Sequence, residues 1–140
     1  MYLLDSNVLS ELRPTKPVRS APVLAWAASQ DSDLFYLSAI TLFEQEIGIL
    51  RLERRQPPQG RQLRAWATGA RQLFYSRTLP VTSEIAIRSA ALHVPDPMPE
   101  RDALIAATAL VHGLVLVTRN VRDFDKVAGL RLLNPWEFKA

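Results

Sequence analysis

The 140-residue chain contains no cysteine, which excludes a disulfide framework and any thiolate metal site. It has only two histidines, His93 and His112, and both fall near helix ends, away from the acids considered below, so they read as structural. No basic segment followed by a long apolar stretch opens the sequence, so no secretory leader is expected. The most apolar segment, Ala103 to Val117, is too short to span a bilayer and is interrupted by His112 and Gly113. A cytoplasmic protein is the expectation. Lysine is scarce as well: of 17 cationic residues only Lys16, Lys126 and Lys139 are lysines. Arginine carries the positive charge, and six arginines (Arg51, Arg54, Arg55, Arg61, Arg64 and Arg71) fall in one stretch. Their planar, forked side chains suit phosphates and carboxylates, so a nucleic acid or an acidic protein partner could be met by Arg51, Arg54 and Arg55, unless this is simply a solvated helix face.

What is present is ordinary for a soluble globular protein, with 48% hydrophobic and 22% charged residues and a formal charge of +3. The opening run Tyr2-Leu3-Leu4 stops on Asp5-Ser6-Asn7, as a buried parallel strand does when its C-terminal end opens into a crevice. A helix from Asn7 to Arg13 follows, and Asp5 or Ser6 could do no more than cap it. Further helices are expected over Val18 to Ser29, Leu42 to Arg55, Arg61 to Leu73, Glu84 to Leu92 and Arg101 to His112. The segment Gln56 to Gly60 reads as a break between two of them. Strands are expected over Leu34 to Ser38, Phe74 to Leu79, Leu114 to Val117 and Leu130 to Leu133. Thr41, with Glu44 three residues later, has capping-box spacing. Trp26, Trp66 and Trp136 read as core or interface residues. Strands alternating with helices, without repeats or a linker, predict a single α/β domain over residues 1–140: a three-layer α/β/α sandwich with a mostly parallel central sheet.

That topology gives four acids a common side. Asp5 ends a strand, Glu44 lies early in the helix after a strand, and Asp123 lies just beyond the end of the clearest strand. Asp102 begins the helix that feeds that strand and runs back against it, so its first turn lies over the same edge. Four carboxylates without cationic partners repel one another, and such groups persist when a divalent cation neutralises them. All-oxygen ligands suit Mg²⁺ or Mn²⁺, and such a site can hydrolyse phosphodiesters. Without these four, ten acids face 17 bases, a basic surface around an acidic pocket. Each acid also has a bland reading: Glu44 as capping-box partner, Asp102 at the positive end of its helix, Asp123 in a turn.

The motifs Leu-Leu-Asp5-Ser-Asn7-Val-Leu-Ser-Glu, Leu-Ser-Ala-Ile-Thr41-Leu-Phe-Glu44 with Gly48-Ile49, Asp102-Ala-Leu-Ile-Ala-Ala-Thr108-Ala, Leu-Val-Thr118-Arg119-Asn120-Val-Arg-Asp123-Phe124 and Asn134-Pro135-Trp136 occur in the order seen in PIN-domain ribonucleases. Over nearly its whole length the chain resembles the VapC/FitB-type toxins of bacterial type II toxin–antitoxin modules. The resemblance implies a PIN-like fold, Mg²⁺- or Mn²⁺-dependent endoribonuclease activity on RNA, a homodimer, a cognate antitoxin as inhibitor, and contact with operator DNA only through that antitoxin. By position it implies Asp5, Glu44 and Asp102 as catalytic, metal-holding acids. Some relatives carry an acid at the place of Asn120, others an asparagine there with an acid at the place of Asp123. Asp123 is taken as the fourth, with Asn120 and Thr118 orienting it and Asn7 bracing the Asp5 loop. Asp5 and Asp102 would hold the ion that activates the attacking water, and Glu44 would be a ligand or orient that water; Glu46 points elsewhere. A phosphatase of the haloacid-dehalogenase type would want an acid at Asn7, and a response-regulator receiver would want acids at Ser6 and Pro80. A DNA-directed nuclease would share the site. The alternative of another class is a catalytically weak PIN fold that binds its antitoxin in a repressor complex.

Overall fold

The computed structural model describes residues 1–140. Five strands, β1 (Tyr2–Leu4), β2 (Phe35–Ser38), β3 (Thr78–Leu79), β4 (Val115–Val117) and β5 (Leu132–Leu133), form one sheet in the order β3-β2-β1-β4-β5. Every pairing is parallel. Six helices flank it: α1 (Ser6–Glu11), α2 (Ala21–Ala28), α3 (Ala39–Arg55), α4 (Pro57–Leu73), α5 (Ser83–Ala91) and α6 (Glu100–His112). The expected α/β/α sandwich is therefore present, with a wholly parallel sheet.

Two apolar layers hold it. One face packs Leu4, Leu37 and Val117 with Trp26, Phe35 and Phe74, and Trp26 lies flat on Phe35 with ring centroids 5.3 Å apart. The other packs Leu3 and Leu116 against Ile105, Ala106 and Ala109 of α6 and against Phe124. The alanines let α6 lie close to the sheet, and Gly113, at φ 65°, supplies the left-handed residue that ends the helix and turns the chain into β4.

Several boundaries differ from the sequence expectation, each for a local reason. Helix α3 starts at Ala39 because Ser38, still in the strand, caps it by accepting the Ile40 N–H at 3.0 Å. Thr41 is therefore no cap: it is fully buried and its hydroxyl has no protein partner. The break expected over Gln56 to Gly60 shrinks to Gln56, since Pro57 and Pro58 occupy the opening positions of α4, where proline is favoured. Helix α2 is shorter than expected because Ser20 caps it by accepting the Val23 N–H. The strand expected over Phe74 to Leu79 is mostly a 3-10 turn, Tyr75–Arg77, leaving two residues to pair, and β5 is likewise reduced to Leu132–Leu133.

Strand order reverses between β1 and β4: the chain runs outward from β1 through β2 to β3, then returns on the other side of β1. In parallel sheets such a reversal opens a crevice at the C-terminal strand ends, where ligands bind. Asp5 follows β1 there and Thr118 follows β4. No helix is long and apolar enough to cross a membrane.

Candidate active site

Asp5 is the best-anchored of the four acids. Its backbone N–H continues the sheet ladder to the Val117 carbonyl at 2.9 Å. One carboxylate oxygen accepts the Ser6 N–H at 2.8 Å and so caps α1, and the other accepts the Thr118 hydroxyl at 2.8 Å. Capping and site placement are thus two uses of one side chain. Asn7 braces the same carboxylate: its amide donates to Thr118 Oγ1 at 3.4 Å and reaches Asp5 Oδ2 at 3.5 Å, while its carbonyl oxygen accepts the Arg119 N–H at 3.2 Å.

Glu44 lies in the second turn of α3, since the helix begins at Ala39, and the capping-box role for it disappears. Its Oε1 accepts the Ser6 hydroxyl at 2.7 Å. Ser6 therefore links the acid of α3 to the end of β1, a role not read from the sequence, although its place beside Asp5 was the available signal. The other oxygen, Oε2, lies 3.8 Å from Arg101 Nη1, a loose pairing. Asp102 sits in the first turn of α6, whose N-terminus has no side-chain cap. A cleft of about 610 Å³ lies between the starts of α3 and α6, lined by Phe43, Glu44, Ile47, Pro99, Glu100, Arg101 and Asp102.

Asp123 ends a 3-10 turn beyond β4 and is exposed. The expectation that Thr118 and Asn120 orient it needs correction. Thr118 serves Asp5, and its hydroxyl oxygen also accepts the Asn120 N–H at 3.1 Å. Asn120 meets Asp123 only through the backbone, its carbonyl accepting the Asp123 N–H at 3.0 Å. The physical reason is reach: Thr118 is fully buried at the mouth of β4, directly beside Asp5.

The acids sense one another. Burial pushes the Asp102 carboxyl up to about 6, and the charges of Asp5, Asp123 and Glu44 add to that, against a smaller opposing effect of Arg101. Burial also raises Asp5, offset by the Thr118 and Ser6 hydrogen bonds, with Glu44 and Asp123 pushing it up further. Repulsion among carboxylates with little cationic relief is what a bound cation reverses. As they stand, no three acidic or histidine side chains are close enough to clasp one ion directly. The donor set nonetheless fits a hard divalent cation that keeps most of its waters and takes one or two carboxylates, the habit of Mg²⁺.

The remaining candidates separate by position. Arg64 is bound to Glu53 and Glu46, both at 2.7 Å, and Arg71 to Glu46 at 2.9 Å, so these two arginines tie α4 to α3. Arg64 and Arg71 hold Glu46 below its usual range, and Arg64 does the same for Glu53. Arg51, Arg54 and Arg55 are exposed near the far end of α3; at 1.5 Å per residue they lie roughly 10 to 16 Å along the axis from Glu44. His93 Nδ1 accepts the Met98 N–H at 3.4 Å within a loop, and His112 is exposed at the end of α6. Trp26 is core; Trp66 and Trp136 are half-buried.

Residues 2–130 match the PIN domain family. The chain is 36% identical over 145 residues to the VapC ribonuclease Y4jK of Sinorhizobium fredii, covering 98% of this chain and 99% of that protein. It is 35% identical over 141 residues to the toxin FitB of Neisseria gonorrhoeae, covering 97% and 99%. Among solved structures, that of FitAB bound to an IR36 DNA fragment superposes with a TM-score of 0.78 at 29% identity, over 100% of this chain and 99% of the matched one.

Proposed function

The chain belongs to the PIN domain family, and from that premise we propose that it is a Mg²⁺- or Mn²⁺-dependent endoribonuclease, the toxin of a toxin–antitoxin pair. The observation that carries the reading is the gathering of Asp5, Glu44, Asp102 and Asp123 at the C-terminal edge of the sheet, where burial first, and then the charges of the other three acids, push Asp102 up to about 6. Relatives that bear ribonuclease and toxin names over nearly the full chain support it.

In this reading Asp5 and Asp102 are the principal ligands, with Glu44 and Asp123 completing the set directly or through water. When bound, the ion supplies Lewis-acid polarisation of the phosphate and a water that deprotonates near neutral pH. The protein's own groups do the positioning. Thr118 and Asn7 fix one oxygen of Asp5, leaving its direction set by the sheet. Ser6 holds one oxygen of Glu44, and the other, only loosely paired with Arg101, would turn toward a water and accept its proton. The two hydroxyls at the site, Ser6 and Thr118, are used as donors that fix Glu44 and Asp5, and no histidine or lysine is bonded to either to activate it, so direct attack by water is the chemistry proposed.

The partners follow from the same premise: RNA as substrate, a second copy of the chain, a cognate antitoxin, and operator DNA contacted only through the antitoxin. Solved neighbours include a VapBC complex bound to DNA from Salmonella typhimurium. Arg51, Arg54 and Arg55 lie roughly 10 to 16 Å along the helix axis from Glu44, so in this reading they meet a more distant part of a long RNA or the antitoxin. The spacing of the acids, none of them grouped closely enough to clasp an ion in threes, is the one observation that favours the second reading, a catalytically weak binding module in a repressor complex.

The test is cleavage of a pool of structured RNAs by purified protein with Mn²⁺, beside Asp5→Asn and an EDTA control. Metal-dependent cleavage that disappears in Asp5→Asn is the expected result. No measurable Mn²⁺ binding would overturn the nuclease reading in favour of the binding module.

A further inference from the structure

Two arginines at the ends of elements that carry the acids each lie over an aromatic ring. Arg119, the residue after Thr118, has its guanidinium 5.1 Å from the centre of the Trp136 ring. Arg101, the residue before Asp102, lies 5.7 Å from the centre of the Phe43 ring. The two are not equally committed. Arg101 leans toward Glu44. No ion pair engages Arg119, and Glu11, an acid that feels its charge, is already bound by Lys16 and by the Ser20 N–H.

Arg119 is also fixed relative to the site. Its N–H donates to Asn7, whose amide reaches Asp5 and Thr118, so its backbone is in register with the Asp5 carboxylate. Its side chain rests on a ring that packs against the apolar layer below, on a turn where the Trp136 backbone N–H donates to Asn134 Oδ1 at 2.9 Å. The result is an exposed cation in no ion pair, resting on Trp136 and carried by a backbone that adjoins the residues fixing the Asp5 carboxylate.

We propose that the Arg119–Trp136 pair is a contact for single-stranded RNA that holds the nucleotide next to the cleaved bond, with Arg101 and Phe43 providing a matching surface. The proposal rests on the ribonuclease reading. A guanidinium can fork onto a phosphate while its plane accepts an unstacked base, a combination that favours single strands over duplexes. An acidic peptide is a poorer occupant, because it offers the guanidinium a carboxylate but brings no base to lie on its plane.

The experiment measures binding apart from cleavage. A labelled single-stranded RNA is titrated in Mg²⁺ with Asp5→Asn protein, alone and combined with Arg119→Ala or Arg119→Lys, at several salt concentrations. Arg119→Ala is expected to weaken binding about tenfold and to reduce the salt dependence by about one phosphate contact. Arg119→Lys is expected to keep the salt dependence and regain only part of the affinity, because an ammonium does not stack. In the active protein, Arg119→Ala should raise KM more than it lowers kcat. Unchanged affinity and salt dependence in Arg119→Ala, or loss confined to an acidic peptide, would overturn the proposal. Tight, Arg119-dependent binding by a protein that never cleaves would sink the hydrolytic reading and leave the contact standing; normal cleavage with unchanged KM in Arg119→Ala would do the reverse.

Discussion

The Thr118 hydroxyl donates to Asp5 Oδ2 at 2.8 Å across 113 residues of sequence. This bond joins the ends of β1 and β4 where the strand order reverses, and it is the shortest path from the fold to the chemistry. Thr118→Val keeps the shape and removes the donor, leaving a buried carboxylate short of one partner at a cost of about 1–3 kcal/mol. Because that bond lowers the Asp5 carboxyl, its loss moves the acid limb of a pH–rate profile to higher pH. Urea denaturation and the pH profile check the two effects separately. A variant as stable as the parent with an unshifted profile would contradict the role assigned to Thr118.

The raised acids make a prediction about stability without metal. Asp102, pushed up to about 6, is protonated more readily in the folded protein than in the unfolded chain. Its contribution is therefore complete below its ordinary value of 3.8 and is lost as pH rises through about 6. Glu11, Glu46 and Glu53 are lowered, so their contributions are lost only as pH falls below the usual glutamate range. Asp5 is raised as well, so between these windows both acids favour the lower pH. Metal-free protein should melt at a higher temperature at pH 5 than at pH 7.5, Asp102→Asn should flatten that difference, and Mn²⁺ should stabilise most at the higher pH. Calorimetry with and without EDTA reads all three.

How far the site was legible in sequence depends on the range of the forces involved. Asp5, Glu44, Asp102 and Asp123 were readable because strand-to-helix alternation fixes which edge of a parallel sheet they share. The contacts of Ser6, Arg101 and Arg119 were not, because they run between elements: Ser6 to Glu44 and Arg119 to Trp136 join residues well separated in the chain. Thr41 misled for a related reason. Capping-box spacing is a local signal, and Ser38 lies earlier, at the strand end, with an equally good cap oxygen. The prolines at 57 and 58 also carried two meanings, turn and helix start, and only the packing of α4 on α3 selects the second.

That packing depends on Gly60. A Cβ there would stand 2.5 Å from the Glu53 Cα and 2.7 Å from its backbone nitrogen, so the close approach of α4 to the end of α3 needs a residue without one. Gly60→Ala is expected to destabilise by about 1–3 kcal/mol through overpacking against backbone that cannot yield. Gly48→Ala is the control: it lies in α3 with nothing within 4 Å of the added carbon, and should stabilise by roughly 0.5–1 kcal/mol through helix propensity. Denaturant midpoints of both variants check the contrast, and two changes of the same sign would refute it.

The same hairpin separates structural arginines from available ones. Arg64 is pinned between Glu46 and Glu53, and Arg71 shares Glu46, so neither can turn to a polyanion without giving up its carboxylate. All of these groups are about one-third exposed, so solvent and salt screen the pairs and each contributes only modestly. Arg64→Met should therefore lower the denaturant midpoint modestly, with the deficit shrinking as salt rises and screens the pairs in the parent, and should leave RNA affinity unchanged. Replacing Arg51, Arg54 and Arg55 together by Ala should do the opposite, leaving stability intact and weakening a partner that reaches the tip of the hairpin. Melting curves and binding isotherms on the two variants distinguish the cases, and an Arg64→Met protein that folds normally but loses RNA would show that the hairpin's ion pairs open to admit the strand.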